Sequence, residues 1–387
     1  MPIKNRLAEL QSDIAAWRRD IHSHPEIGFD VHRTVELVEQ KLSEFGVDEI
    51  VTGIGRTGLV GIIKGRTDTK GRVIGLRADM DALPIHEETG APHASRIPGK
   101  MHACGHDGHT AMLLGAAQYL SETRNFDGTA VLIFQPGEEG YAGGREMCED
   151  GLMERFAIQE VYGMHNAPGL ELGQFAIRPG PMMAATDEFR IILEGRGGHA
   201  ARPNNTVDTA VMACHLGVAL QSIVSRNADP VEQLVVSLTS IETSSTAFNV
   251  IPQRVTLRGT VRSMSAEMRE MARRRIEDVT RGIATTFGGT AEFDFPEGYP
   301  VLVNSEQETG YARDVARSVT GDCKLAPMVM GGEDFAYMLQ ERPGAYIRLG
   351  NGDSAGLHHP EYDFNDDIIP IGCSWLAEMV ETRMKVE

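Results

Sequence analysis

The chain has 387 residues, more than one hydrophobic core normally holds, so two domains are expected. Its 41% hydrophobic and 24% charged content fit an ordinary globular protein. A net charge of −18 argues against nucleic acid or an anionic membrane surface as partner. The first element, within MPIKNRLAELQSDIAAW, reads as an amphipathic helix over about 5–20 rather than a signal peptide. A second helical pattern covers about 31–46. Apolar strands are expected at 58–65, 72–79, 129–136 and 159–165, with a helix at 106–121 among them. Alternating strands and helices imply a doubly wound sheet with helices on both faces.

The pattern changes after 177–188, which reads as a hinge. A strand (188–194), a helix (206–225), two strands (233–241 and 253–263), a helix (265–287) and a strand (290–295) follow. That β-α-β-β-α-β order is the ferredoxin-like split unit. The expected architecture is therefore α/β: a large catalytic domain (1–183 and 296–387), its mixed sheet flanked by helices, and an inserted ferredoxin-like α+β domain (184–295). A strand at 344–350 and a closing helix at 366–385 return to the large domain. No apolar run approaches the roughly 18 residues of a membrane span. Cys104, Cys148, Cys214, Cys323 and Cys373 are odd in number and scattered, which suits free thiols in a reducing cytoplasm.

The chemistry concentrates in KMHACGHDGHTAM (100–112) and QPGEEG (135–140). Cys104, His106 and His109 place a thiol and two imidazoles about one helical turn apart. Glu138 and Glu139 are adjacent carboxylates after a buried strand and a Pro-Gly turn, where α/β enzymes place catalytic groups. Mixed sulfur, nitrogen and oxygen donors suit one or two divalent metals. A second carboxylate beside a metal is what water activation requires. Further candidates lie at strand ends and in Gly-rich segments. They are Asp79 and Asp81, on one side of a strand if its period of two holds, then His165, His199, Glu333, Asp334, His358 and His359.

Together, RADMDALP, HACGHDGHTAML, QPGEEG, GMH, GGHAARP, NVIP, GTVRS, GGEDF and LHHP resemble the hippurate hydrolase and N-acyl-amino-acid amidohydrolase family. That family includes plant auxin-conjugate hydrolases and belongs to a larger group of di-metal peptidases. The resemblance runs from HPEIGF (24–29) to LHHPEYDF (357–364). It implies that Cys104, His106, Glu139, His165 and His358 hold two divalent ions per subunit, zinc, manganese, cobalt or nickel. It makes Glu138 the general base and Asp81 a carboxylate that orients a ligand. Relatives outside the subgroup carry a His where this chain has Asp79, and Cys104 replaces that donor. Spacing alone does not choose between His358 and His359; the pattern Leu-His-x-Pro favours His358. His109 falls on no ligand position and reads as support for the metal helix.

The same resemblance gives His199 the role of oxyanion donor, reaching in from a neighbouring subunit. Asn249 and Arg262 match positions that hold the substrate carboxylate. From the residues alone, His199 could equally hydrogen-bond within its own domain, and Arg262 could pair with nearby acids on a strand surface. The implied substrate is an N-acyl amino acid, hippurate-like or N-acetylated. The implied assembly is a homo-oligomer, dimer or tetramer, formed through the inserted domain as lid. Other readings remain: a cysteine hydrolase with Cys104 as nucleophile at a helix N-terminus that lowers its pKa, a metallo-carboxypeptidase acting on short peptides, or a non-catalytic metal-binding protein.

Overall fold

The computed structural model describes residues 4–386. Contacts divide the chain into two compact units. The first comprises the chain up to Gly180, Val303–Pro327 and the chain from Asp334 onward; the second comprises Pro181–Leu302 and Met328–Glu333.

An eight-stranded mixed sheet organises the first unit. From one edge, its strands are Glu49–Ile54, Gly58–Lys64, Thr129–Gln135, Val73–Asp79, Glu160–Pro168, Gly344–Gly352, Phe175–Ile177 and Cys323–Leu325. The central run from Thr129–Gln135 to Gly344–Gly352 is parallel. Central parallel strands are covered on both faces, and these are accordingly near-continuous apolar runs, such as AVLIF at 130–134. One face packs Leu76, Leu132 and Ile347 against helices His106–Thr123 and Ile369–Arg383 through Leu113, Leu120, Trp375 and Val380. Tyr346 alternates with Ile347 and so faces the other side, where it stacks on Phe335 of helix Phe335–Glu341. Helices therefore lie on both faces, as the alternating pattern implies.

The second unit holds a four-stranded antiparallel sheet in the order Leu234–Thr243, Arg254–Ser263, Ala185–Glu194, Thr290–Asp294. Numbered along the chain from Ala185–Glu194, that order is 2-3-1-4, the ferredoxin-like arrangement. Helices Thr209–Arg226 and Ala266–Thr286 cover one face, burying Leu216, Leu220 and Ile276 against Phe189, Ile191, Leu193 and Leu257. Asp208 and Ser265 cap these helices through their side chains. Much of the segment read as a hinge is strand: Gly180–Met183 and the first residues of Ala185–Glu194 occupy it. Ala185 to Phe189 pair with Gly259 to Ser263, so partners 70 to 78 residues away extend the strand beyond its local signal.

Candidate metal centre and active site

The donors gather at the C-terminal ends of the central strands, where an α/β sheet opens its crevice. Strand Val73–Asp79 delivers Asp79 and then Asp81. Strand Thr129–Gln135 leads to Glu138 and Glu139. Strand Glu160–Pro168 carries His165, and helix His106–Thr123 begins at His106. Donor atoms of Cys104, His106 and His165 lie within 4.8 Å of one another; so do those of Cys104, Glu139 and His358, and those of His106, Glu138 and Glu139. These three groups overlap and make one continuous cluster. His359 is outside it: its ring accepts the Glu361 N–H at 3.1 Å. His358 holds a left-handed backbone (φ 64°) and its N–H donates to the Ala103 carbonyl at 2.8 Å, which anchors its loop beside Cys104.

Hydrogen bonds set which nitrogens face the cluster. His106 Nδ1–H donates to the Asp81 carbonyl at 2.8 Å, and buried His106 Nε2 makes no hydrogen bond, with Asp79 Oδ2 3.6 Å away. His165 Nδ1–H donates to the Asn166 carbonyl at 2.7 Å, turning Nε2 towards Cys104 Sγ at 3.4 Å. Glu139 Oε1 lies 3.1 Å from His358 Nε2. Buried imidazole nitrogens, a thiol and carboxylate oxygens thus converge, and this donor set fits divalent cations. His109 does not belong to it. Its Nδ1–H donates to Asp79 at 2.6 Å and its Nε2 accepts the Asn166 N–H at 3.0 Å, so both nitrogens are engaged within the protein.

The local potential is strongly negative. Burial pulls the His106 imidazole down, but Asp79, Asp81 and Glu139 outweigh this and push it up to about 10. The hydrogen bond that His358 donates to Glu139 pushes its imidazole up. Cys104 is pushed well above a normal thiol, first by burial and then by Glu139, Glu138 and Asp79. This corrects the expectation of a thiol activated at a helix start. The helix begins only at His106, and burial beside three carboxylates decides the thiol's behaviour. A thiolate here calls for a cation alongside it.

Asp79 and Asp81 were expected on one side of a strand, but the strand ends at Asp79 and they serve different partners. Asp81 accepts the Glu138 and Glu139 N–H groups at 2.9 and 3.0 Å, fixing the turn that presents both carboxylates. Gly137 allows that turn with φ 63°. Burial favours protonation of Asp79, but Arg77, His106 and His109 hold it well below the usual carboxylate range. Arg77 donates to Asp79 at 2.7 Å and to Asp334 at 3.0 Å; Asp334 also accepts from Gln135 and the Gly144 N–H, each at 2.7 Å. Asp334 is therefore a buried anchor beneath the strand ends.

A further support carries no motif in the sequence. Arg18 is fully buried and meets Asp107 at 2.9 Å, and His22 meets the same carboxylate at 2.8 Å. Asp107 follows His106 directly, and an acid at a helix start was the available signal.

His199, Asn249 and Arg262 all lie in the second unit. His199 pairs with Val250 in a two-stranded ribbon, and the Asn249 carbonyl accepts the Ala200 N–H at 3.0 Å, which brings His199 and Asn249 together. His199 Nδ1 accepts the Ala201 N–H at 3.1 Å, so a neutral ring carries its proton on exposed Nε2. Arg262 donates to Thr260 Oγ1 and, at 3.0 Å, to the Val261 carbonyl; among the described residues it has no acidic partner.

A mixed α/β sheet with such donors at its strand ends and a ferredoxin-like insertion defines a metal-dependent hydrolase class. Within that class, the chain belongs to peptidase family M20/M25/M40, which residues 75–382 match. It is 40% identical to a hippurate hydrolase of Campylobacter jejuni, covering 98% of each chain. It is 37% identical to an N-acetylcysteine deacetylase of Bacillus subtilis, covering 94% of each. The solved structure of the Bacillus subtilis YXEP protein, described as a dinuclear metal-binding peptidase of the M20 family, superposes with a TM-score of 0.86. It is 33% identical and the match covers 97% of this chain and 99% of that one.

Proposed function

We propose that the protein hydrolyses the amide bond of N-acyl amino acids, hippurate-like or N-acetylated, releasing a carboxylic acid and a free amino acid. The observation that carries this reading is the overlap of three donor groups around Cys104, His106 and Glu139, with the carboxylate of Glu138 beside them. Cys104, His106, Glu139, His165 and His358 would hold two divalent ions, zinc, manganese, cobalt or nickel. When bound, these supply Lewis acidity that eases deprotonation of water and polarises the acyl carbonyl. Glu138 takes a proton from the attacking water and later delivers it to the leaving amine nitrogen. The water oxygen joins the acyl carbon and the C–N bond breaks. Asp81 holds the Glu138–Glu139 turn and His106 in register. His199 Nε2–H donates to the developing oxyanion, and Asn249 and Arg262 hold the substrate carboxylate, for which a guanidinium is suited.

The chain would act as a cytoplasmic homo-oligomer, dimer or tetramer, joined through the inserted domain (184–295 by sequence), which would serve as lid to the catalytic domain (1–183 and 296–387). Supporting this, Leu234–Thr243 lies at a sheet edge with Ile241 exposed, and helix Thr209–Arg226 exposes Val211 and Val218. The five free thiols suit a reducing compartment. Among the described residues, no helix is long and apolar enough to cross a membrane.

A panel of N-acyl amino acids, assayed after chelation and after return of each metal, tests the reading. Activity should vanish with the chelator and return with metal. The melting temperature should fall on chelation, since a ligand at about 100 times its Kd adds about 2.7 kcal/mol of stability. Full activity in the metal-free protein would overturn the proposal.

Cys104 also separates ligand from nucleophile. Its raised pKa and its grouping with His165, Glu139 and His358 favour ligand. Cys104→Asp or Cys104→His supplies another donor and should leave partial, metal-dependent activity, whereas Cys104→Ser should weaken metal binding. A trapped acyl-enzyme on Cys104, seen by mass spectrometry, would establish the nucleophile instead.

A further inference from the structure

Asn166 directly follows the donor His165 in strand Glu160–Pro168 and is 1% exposed. Buried amides need partners, and this one reaches into three other segments. Its Nδ2 donates to the Cys104 carbonyl at 2.6 Å and to His109 Nε2 at 3.1 Å. Its Oδ1 accepts the Tyr362 hydroxyl at 2.7 Å. Its backbone N–H donates to the same His109 nitrogen at 3.0 Å, and its carbonyl accepts His165 Nδ1–H at 2.7 Å.

We infer that Asn166 is a positioning residue that ties the loop of Cys104, the strand of His165, the helix of His106 and the loop of His358 into one frame. Three consequences follow from its bonds. The Cys104 carbonyl is pinned, so the thiol is aimed by its own backbone. The His165 tautomer is set by the Asn166 carbonyl, leaving Nε2 as the lone pair. Tyr362 lies four residues after His358, and its N–H closes back on the His359 carbonyl at 2.9 Å. The Tyr362–Asn166 bond therefore holds the His358 loop at a second point besides the Ala103 carbonyl.

Gly105 supports the inference independently. It holds φ 87° between Cys104 and His106, and a Cβ there would lie 2.2 Å from Asn166 Nδ2 and 2.6 Å from the Tyr362 hydroxyl. The backbone joining two donors runs against the Asn166–Tyr362 pair with no room for a methyl group. Asn166 touches none of the reacting groups; its action passes through the donors it orients.

The inference rests on the metal reading above, and Co2+ serves as probe for both. Asn166→Ala, Tyr362→Phe and the double variant are compared with the wild type. The readouts are the thiolate-to-cobalt charge-transfer and d–d absorption, cobalt affinity against a competing chelator, and the melting temperature of each metal-free form. Asn166→Ala should weaken cobalt binding about 10- to 100-fold, the usual effect of removing a partner that orients a ligand. It should also alter the spectrum. Tyr362→Phe keeps the ring and loses one hydrogen bond, so a loss of about fivefold is expected. The double variant should fall short of the product of the two losses, because both act through one bond. Should Asn166→Ala fail to fold, Tyr362→Phe decides alone, through a shifted spectrum and weakened binding. Wild-type affinity and spectrum in every folded variant, with only a lower melting temperature, would overturn the inference and leave the metal reading intact. A wild-type protein that does not bind cobalt would overturn both.

Discussion

Glu138→Gln is expected to keep its metal and lose at least about a hundredfold in kcat, the scale of losing a general acid–base group. Glu139→Gln is expected to lose the metal. The two side chains are adjacent on one turn, and both N–H groups are held by Asp81, so the turn should survive either substitution. What differs is where the carboxylates point. Glu139 shares a donor group with Cys104 and His358 as well as with His106, so it belongs to both halves of the cluster. A neutral amide there removes a charged donor from the centre. Glu138 is grouped with His106 and Glu139 and, away from Cys104, with Glu333 and Asp334, so its loss leaves the Cys104-centred groups whole. Metal analysis together with steady-state kinetics separates the outcomes. If Glu138→Gln lost metal while activity per occupied site persisted, the two roles would be reversed.

Mixing inactive His199→Ala with inactive Glu138→Ala subunits, under conditions that exchange protomers, is expected to restore activity. His199 keeps its Nε2–H free of its own ribbon, a donor available for the oxyanion of a neighbouring site. If a neighbouring subunit supplies the imidazole, each site in a dimer draws metals and base from one chain and His199 from the other. In a mixed dimer one site receives both lesions and the other receives neither. Up to half the sites in that species then recover. If His199 acts within its own chain, every site carries one lesion and none recovers. The absence of recovery, with mixed dimers verified by differential tagging, would refute the shared site.

Much of the architecture was legible because its signals are local. The helix expected at 106–121 is His106–Thr123, and the six-element order of the insertion matches six observed elements. Long apolar runs and 3.6-residue periods survive without tertiary context. Several strands that went unread are short or lie at edges: Glu49–Ile54 is partly exposed, and Phe175–Ile177 and Cys323–Leu325 have only three residues each. Three residues hold no alternation to detect, and pairing with distant strands alone makes them strands. Helix Glu306–Thr320 is the exception, since its amphipathic pattern is itself local.

At the site, residue types and motif spacing showed the candidate metal-binding side chains, the adjacent carboxylates and the family resemblance, because these are short-range features of the chain. Tertiary structure alone decided how those groups are used. Cys104 is near a helix start in sequence, yet its proton affinity follows from burial and from carboxylates at 79, 138 and 139. His109 is spaced like a ligand, yet Asp79 and Asn166 occupy both its nitrogens. Asp334 meets Arg77 across 257 positions, and Tyr362 meets Asn166 across 196. Such contacts leave no local period or motif, because hydrogen bonds and desolvation depend on distance in space, and the chain brings these groups together only when the sheet and its loops close.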